Sequence, residues 1–76
     1  MKTELEELGF HHLREYTHGD NYEFITQTFH KGKLYVDLDY EKSTGKLLHH
    51  DLTIEETTIT PTLSEIEILD KILNKK

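Results

Sequence analysis

The sequence predicts an α+β fold: a three- to four-stranded antiparallel β-meander with a C-terminal α-helix packed on one face and a short N-terminal helix. Three observations lead to it. Apolar and polar residues alternate between Phe10 and Ile54, turn residues interrupt that alternation at short intervals, and a helical apolar stripe follows. With only 76 residues, the chain is too short for two ordinary domains, so we expect one domain over 1–76.

The first predicted element is a short helix over residues 3–8. Thr3 and Glu6 have the spacing of a capping box, and Leu5 and Leu8 lie on one face. Because a helix of under two turns is not stable alone, it must dock through its leucines.

The alternating segment divides into four predicted strands joined by short turns, at residues 10–17, 22–30, 33–41 and 46–54. Turns this short make neighbouring strands antiparallel. The apolar residues of the first strand do not keep one parity, so we expect a bulge or a shorter strand there.

Turn chemistry predicts the registers of the last three strands. A two-residue Lys31–Gly32 turn sets Phe29 opposite Leu34. The inner, apolar face then contains two polar exceptions, Gln27 and His50, and nine other residues: Ile25, Phe29, Leu34, Val36, Leu38, Tyr40, Leu48, Leu52 and Ile54.

A three-residue loop ending in a left-handed Gly45 joins the last two strands. It sets Leu48 opposite Tyr40. On the other side of the sheet it sets Asp39 opposite His49. We expect His50, which faces the apolar side, to be a hydrogen-bonded core or rim histidine.

A polar connector over 55–60 is predicted to lead into the C-terminal helix. Thr62 and Glu65 form a second capping-box pattern. One helical stripe then faces the sheet, and it consists of Leu63, Ile66, Leu69 and Leu73. Ile68 points away from the stripe, and Lys75 and Lys76 lie near the C-terminal end, where the helix dipole favours cations.

Composition excludes several classes of protein. The absence of cysteine excludes a disulfide framework and a cysteine-based zinc site. No apolar run is long enough for a transmembrane helix or a signal-peptide core, so we expect no membrane association. The formal net charge of -6 argues against direct nucleic-acid binding, whose affinity comes largely from Lys and Arg.

We expect no enzymatic activity, no catalytic residue and no cofactor. Ser43 and Ser64 have sufficient structural roles in a turn and a helix cap, and strand propensity explains most threonines. The alternative is a metal-dependent enzyme whose divalent cation is held by Asp37, Asp39, Asp51 and His49. We favour a solvated polar face over that metal site.

The outer face of the predicted sheet is the candidate binding site. One helix covers only one side, so the other side exposes aromatic residues beside carboxylates, a combination typical of protein interfaces. The predicted partner-binding residues are Tyr22, Phe24, Tyr35, Asp37, Asp39 and Asp51. The partner is a protein or a second copy of the chain. In an alternative arrangement, the first helix or the connector folds over this side.

A further alternative is an inhibitor that imitates nucleic acid. Asp37 and Asp39 point the same way, about 6.6 Å apart along the strand. That separation is comparable with the spacing of phosphates along a nucleic-acid strand. Such a surface would occupy the basic groove of a nucleic-acid-binding protein.

In layout the chain resembles short uncharacterised proteins encoded by phages and prophages of Gram-positive bacteria. The resemblance lies in an acidic opening turn into Leu8-Gly9-Phe10, the β-meander, and Ile59-Thr60 followed by a helix containing Glu65 and Ile66. It covers most of the chain without a specific motif. It implies a cytoplasmic accessory protein, and some small acidic phage proteins, anti-CRISPR proteins among them, inhibit host defence by binding basic surfaces.

Overall fold

Five strands form one antiparallel sheet, in the same order as along the chain. The computed structural model describes residues 1–74. The strands are β1 (His11–His18), β2 (Phe24–Lys31), β3 (Leu34–Glu41), β4 (Leu47–Ile54) and β5 (Thr57–Ile59). The predicted α+β meander is confirmed, but it has five strands rather than three or four.

Both helices contribute to one hydrophobic core on one face of the sheet. Helix α1 spans Lys2–Glu7 and helix α2 spans Leu63–Leu73. The buried cluster joins one residue from each helix to six residues of the sheet and its entry: Leu5, Phe10, Phe29, Leu34, Val36, Leu38, Leu52 and Ile66. We call this side of the sheet the inner face and the opposite side the outer face.

The predicted capping box of the first helix is wrong. Helix α1 begins at Lys2, with Met1 as its N-cap and no side-chain capping bond, so Thr3 lies inside the helix. The predicted docking through leucines is confirmed, because Leu5 is fully buried and Leu8 packs against the core. Burial of Leu5 in the core, rather than a side-chain cap, therefore stabilises this short helix.

The predicted register between β2 and β3 is wrong by two residues. Lys31, not His30, is the last paired residue of β2, and it lies opposite Leu34. The turn residues are Gly32 and Lys33, and Gly32 has a φ of 55°. A glycine with positive φ at the first central position is the pattern of a type II′ turn. Because the observed register differs from the predicted one by an even number of residues, every side chain keeps its predicted face.

The predicted register between β3 and β4 is confirmed from Leu34 to Asp39 and wrong beyond it. A bulge follows Asp39, and Leu47 rather than Leu48 pairs with Tyr40. Leu47 packs against the core, whereas Leu48 is 47% exposed. Gly45 is left-handed as predicted, with a φ of 73°, but a bulge cannot be read from turn length alone.

The connector predicted over 55–60 contains β5 instead. Ile54 pairs with Thr57 across a two-residue turn at Glu55 and Glu56, and Glu55 has a φ of 57°. Such turns normally contain Gly, Asn or Asp. Without that signal, the sequence gives no indication of the hairpin.

Edge strand β1 carries the predicted bulge. Its pairing with β2 shifts between His12 and Arg14, so Leu13 is the extra residue. The shift changes which residues of β1 face outward, and it places Arg14 and Tyr16 on the outer face opposite Thr28 and Thr26.

The capping box of α2 is confirmed. The Thr62 hydroxyl accepts from the Glu65 backbone N–H at 3.2 Å, and the Glu65 carboxylate accepts from the Thr62 N–H at 2.9 Å. These backbone and hydroxyl contacts lower the pKa of Glu65. Ile66 is fully buried and Ile68 is exposed, as predicted; Lys75 and Lys76 lie outside the described residues.

Lys31 joins both helices to the sheet. Its ammonium donates to the Leu8 carbonyl at the end of α1, at 2.6 Å, and to the Asp70 carboxylate of α2, at 2.7 Å. Asn74 donates to the Asp70 carboxylate and to the Lys31 carbonyl, and accepts from the Lys33 N–H. These contacts hold the C-terminal end of α2 against the β2–β3 turn.

The two polar residues predicted on the inner face each make a hydrogen bond, although within residues 1–74 the buried Gln27 Oε1 has no partner. Gln27 donates to the Glu15 carboxylate at 3.0 Å, and the His50 Nε2 donates to the Pro61 carbonyl at 2.6 Å. The prediction of a hydrogen-bonded His50 is therefore confirmed. Its bond fixes the chain where the connector enters α2.

We predict that Asp70→Ala lowers the free energy of unfolding by about 1–3 kcal/mol, because it leaves a half-buried Lys31 ammonium without its carboxylate. Burial raises the pKa of Asp70, but hydrogen bonds from Lys31 and Asn74 outweigh it and hold that pKa below its ordinary value. The stabilisation is thus complete above the ordinary aspartate pKa of about 3.9 and is lost as pH falls through the lowered pKa. Urea titrations at neutral and acid pH measure both effects.

The matched control for Asp70 is Glu67→Ala. This substitution removes the partner of Lys71 in a pair whose N–O distance is 3.6 Å and whose side chains are solvent-accessible. We expect a change within about 0.5 kcal/mol. Equal losses in the two variants would show that the Lys31 contacts do not stabilise the fold.

We also predict that Glu55→Gly raises the free energy of unfolding by about 0.5–1 kcal/mol. Glycine relieves the left-handed backbone of Glu55, and the gain exceeds the extra entropy glycine loses on folding. Glu56→Gly, at a position without positive φ, should give no gain. Thermal unfolding of the two variants checks this, and a higher midpoint for Glu56→Gly alone would contradict it.

Candidate functional site

The outer face presents side chains in rows that cross the sheet perpendicular to the strands. The pairings define a central row of Arg14, Thr28, Asp37 and Asp51. The rows on either side consist of Tyr16, Thr26, Asp39 and His49, and of His11, His30, Tyr35 and Thr53. Each row is a set of cross-strand neighbours about 4.8 Å apart.

Within residues 1–74, no helix or connector covers the outer face. Leu5 of α1 and Ile66 of α2 both belong to the inner core, and the 55–60 segment extends the sheet as β5. Tyr35 and Tyr16 are consequently 42% and 54% exposed. The predicted alternative, in which α1 or the connector folds over this side, is wrong.

Five of the six residues predicted to bind a partner lie on this face. Phe24 is half-buried at one end of β2, Tyr35 is exposed, and the three aspartates lie side by side on β3 and β4. Tyr22 does not join them in the sheet. It lies in the loop before β2, with a φ of 55° and 64% of its surface exposed.

The carboxylates of β3 are fixed by buried threonines of β2. Thr26 donates to Asp39 and Thr28 donates to Asp37, each at 2.6 Å. Both threonines are almost fully buried although they face outward. The centre of the outer face is therefore an ordered polar surface rather than a mobile one.

A hydrogen-bond chain extends from β1 to β3. The His18 Nε2 lies 2.8 Å from the Thr26 hydroxyl. That hydroxyl gives its single proton to Asp39, so it must accept from His18. The geometry therefore assigns the proton of His18 to Nε2 and links an edge histidine to the acidic centre.

The third carboxylate, Asp51, is held at an electrostatic cost. Burial raises the pKa of Asp51, and the facing Asp37 and nearby Asp39 raise it further, against an opposing effect of His49. The His49 Nε2 lies 3.7 Å from the Asp51 carboxylate. Like charges directly opposite in a sheet destabilise it, so the charge of Asp51 opposes folding.

The sequence prediction included Phe24 and Tyr35 but missed the β1 residues of the outer face and His30 of β2. Arg14, Tyr16 and His18 on β1 lie beside Phe24 and His30 on β2. The His30 and Tyr35 rings stack with centroids 5.8 Å apart. The alternating parity of β1 would have placed Arg14 and Tyr16 on this face if the bulge had been placed at Leu13.

The geometry of the described residues gives no metal centre. Within residues 1–74, no group of three or more His, Asp or Glu side chains is arranged to hold a metal ion. Asp37 and Asp39 direct carboxylate oxygens at threonine hydroxyls, and His49 approaches Asp51 alone among the carboxylates.

Two shallow grooves occur away from the outer face. One lies between α1 and the β3–β4 loop, beside Ile25 and Tyr40. The other lies between β5 and α2, beside Ile59 and Ile68. Both are open. The first is also lined by Lys2, Glu41 and Lys42, and the second by Glu65.

Comparison of the chain with protein-family models, with curated proteins and with solved structures finds no match. Neither helix in the described part of the chain is long and apolar enough to cross a membrane.

We predict that Asp51→Asn stabilises the isolated protein at neutral pH, because the amide removes a charge that burial, Asp37 and Asp39 disfavour. A carboxyl group whose pKa is raised by folding destabilises the fold as pH rises through that raised pKa. The advantage of the variant should therefore shrink as pH falls through the raised pKa and be absent below the ordinary aspartate pKa of about 3.9, where both states bind the proton. Denaturant titrations from neutral to acid pH measure it.

Asp20→Asn is the control, since Asp20 is exposed in the β1–β2 loop. It should leave stability unchanged within about 0.5 kcal/mol. A loss of stability at pH 7 in Asp51→Asn would contradict the electrostatic cost assigned to the cluster.

Proposed function

We propose that the protein is a non-enzymatic interaction module that binds a protein partner, or a second copy of itself, through the outer face of the sheet. The observation that carries this proposal is a four-strand face left open by both helices, with exposed tyrosines around an ordered polar centre. Tyrosine and arginine are enriched among residues that dominate binding energy, and Tyr16, Tyr35 and Arg14 lie together here.

Order within the face supports a role in binding. The threonine–aspartate bonds hold Asp37 and Asp39 in fixed positions before any partner arrives. Preorganised groups lose less entropy on association, so more of each contact contributes to affinity. A face used only for solubility has no need of buried hydroxyls in this arrangement.

The electrostatic cost at Asp51 gives a second line of support. Natural sequences depart from local stability chiefly where function requires it. A cationic group from a partner, placed over Asp37 and Asp51, would relieve the repulsion between them. The face is therefore better suited to a partner that brings positive charge to β3 and β4.

The distribution of charge favours a partner of mixed sign over a uniformly basic one. Acidic residues lie on β3 and β4, whereas Arg14, His11 and His18 lie on β1 of the same face. A basic nucleic-acid-binding groove would meet Arg14 as a like charge. Mimicry of nucleic acid is therefore the second candidate function.

On the resemblance in layout alone, we propose a cytoplasmic accessory role in a phage or other mobile element. The absence of cysteine from the sequence fits a reducing compartment. This part of the proposal concerns the setting of the protein and is independent of the binding face.

We predict that Tyr35→Ala reduces capture of the partner at least tenfold, because it removes an exposed ring from the binding face. The tagged protein is immobilised and incubated with host extract and, separately, with untagged protein; bound material is quantified by mass spectrometry. Ile68→Ala is the control, since Ile68 is an exposed apolar residue on α2, away from the outer face. Equal capture by the two variants, or greater loss with Ile68→Ala, would overturn the proposal.

A further inference from the structure

We propose that the partner is a second copy of this chain, bound outer face to outer face about a two-fold axis that runs parallel to the strands between β2 and β3. The proposal rests on the proposed function, because it names the occupant of the same face. It follows from the way that opposite charges are divided between the two halves of that face.

The two halves have complementary chemistry. Strands β1 and β2 contribute Arg14 and three histidines to the outer face. Strands β3 and β4 contribute Asp37, Asp39, Glu41 and Asp51. An isologous dimer must place each group against a complementary group of the same surface, and this face contains both.

An axis between β2 and β3 uses that complementarity over all four strands. An axis perpendicular to the strands lays each strand over its own copy, and an axis along β3 lays β3 over its own copy, so that in both cases aspartates meet aspartates. An axis between β2 and β3 lays β1 over β4 of the other copy and β2 over β3. Each residue of one copy then faces a residue at the same position along the strands of the other copy, and each half of the face meets the opposite half.

The central row shows the result. Arg14 of one copy faces Asp51 of the other, and Thr28 faces Asp37. The arginine meets the carboxylate whose charge is least favourable in the isolated chain. Asp37, already bonded to Thr28 of its own strand pair, lies opposite a buried threonine rather than a second carboxylate.

A neighbouring row supplies the apolar contact. The stacked His30 and Tyr35 rings lie on the two strands that flank the axis. The axis therefore brings two such pairs together, His30 over Tyr35, near the centre of the interface. Aromatic residues at the centre of an interface are where binding energy is usually concentrated.

The size of the face fits a reversible dimer. Four strands of eight residues cover about 19 Å by 26 Å, or about 500 Å² per copy. The total of about 1,000 Å² is at the lower limit for a specific interface. Aligned packing at about -30° is the usual arrangement of two facing sheets. We therefore expect dimers that dissociate on dilution.

Exchanging the charges of Arg14 and Asp51 in the same chain tests the position of the two-fold axis. Arg14 and Asp51 are separated by three strand spacings, or about 14 Å, so they cannot pair within one copy. Arg14→Asp and Asp51→Arg should each weaken association at least tenfold. The double variant, Arg14→Asp with Asp51→Arg, should recover to within about threefold of the original protein. The measurement is sedimentation velocity over a concentration series at low and high salt.

The controls make the same charge changes outside the face. Lys42→Asp and Asp20→Arg are at exposed loop positions and should leave association within about twofold. Asp51→Asn is the second variant, in case Asp51→Arg does not fold. It should weaken the dimer while stabilising the monomer, and a purely structural role for Asp51 cannot produce those opposite effects.

Each outcome decides the matter. Concentration-dependent dimers, losses in the single variants and recovery in the double variant establish the axis. A monomer at millimolar concentration, or single-variant losses without recovery, overturns it. If the monomeric protein still captures a host protein in a Tyr35-dependent manner, the second copy is wrong and the proposed function stands. If it captures nothing, both are wrong.

Discussion

The contacts of Lys31 tie both helices to the same side of the sheet. One ammonium group binds the carbonyl end of α1 and the carboxylate of α2, and Asn74 closes the same end of α2 over the β2–β3 turn. Both helices are thereby held on the inner face, where Leu5 and Ile66 complete the core. Everything that distinguishes the outer face follows from this arrangement, because a sheet covered on both sides would bury those rows as a second core.

The outer face combines a rigid centre with an unfavourable arrangement of charges, two properties that usually conflict. Its centre is rigid, since Thr26 and Thr28 are buried and hydrogen-bonded to Asp39 and Asp37. It is also electrostatically unfavourable, since Asp51 is held beside like charges. The proposed binding role accounts for a surface that is ordered at a cost to stability. The division of charge between the two halves supports our proposal that the partner is a second copy, whose face is divided in the same way.

Much of the fold could be predicted because alternation and turn residues are local signals. The faces of β2 and β3 were correct even though the register was wrong by two residues, since an even error preserves parity. The errors at Leu48, Leu13 and Glu55 share one cause, because all three residues lie where the backbone departs from regular geometry. Broken alternation indicates a bulge without fixing its position, and a glycine-free turn carries no turn signal. For the same reason, the prediction found the acidic half of the outer face and missed Arg14 and Tyr16.

The sequence by itself determined an antiparallel meander, an apolar inner face and a capped C-terminal helix, because each depends on residues close together in the chain. It also determined that carboxylates gather on β3 and β4. Only the tertiary structure decided that Lys31, Asp70 and Leu8 meet, that β5 extends the sheet, and that the bulge at Leu13 turns Arg14 toward the acidic rows. Those outcomes depend on contacts between distant residues and on backbone irregularities, which local patterns do not encode.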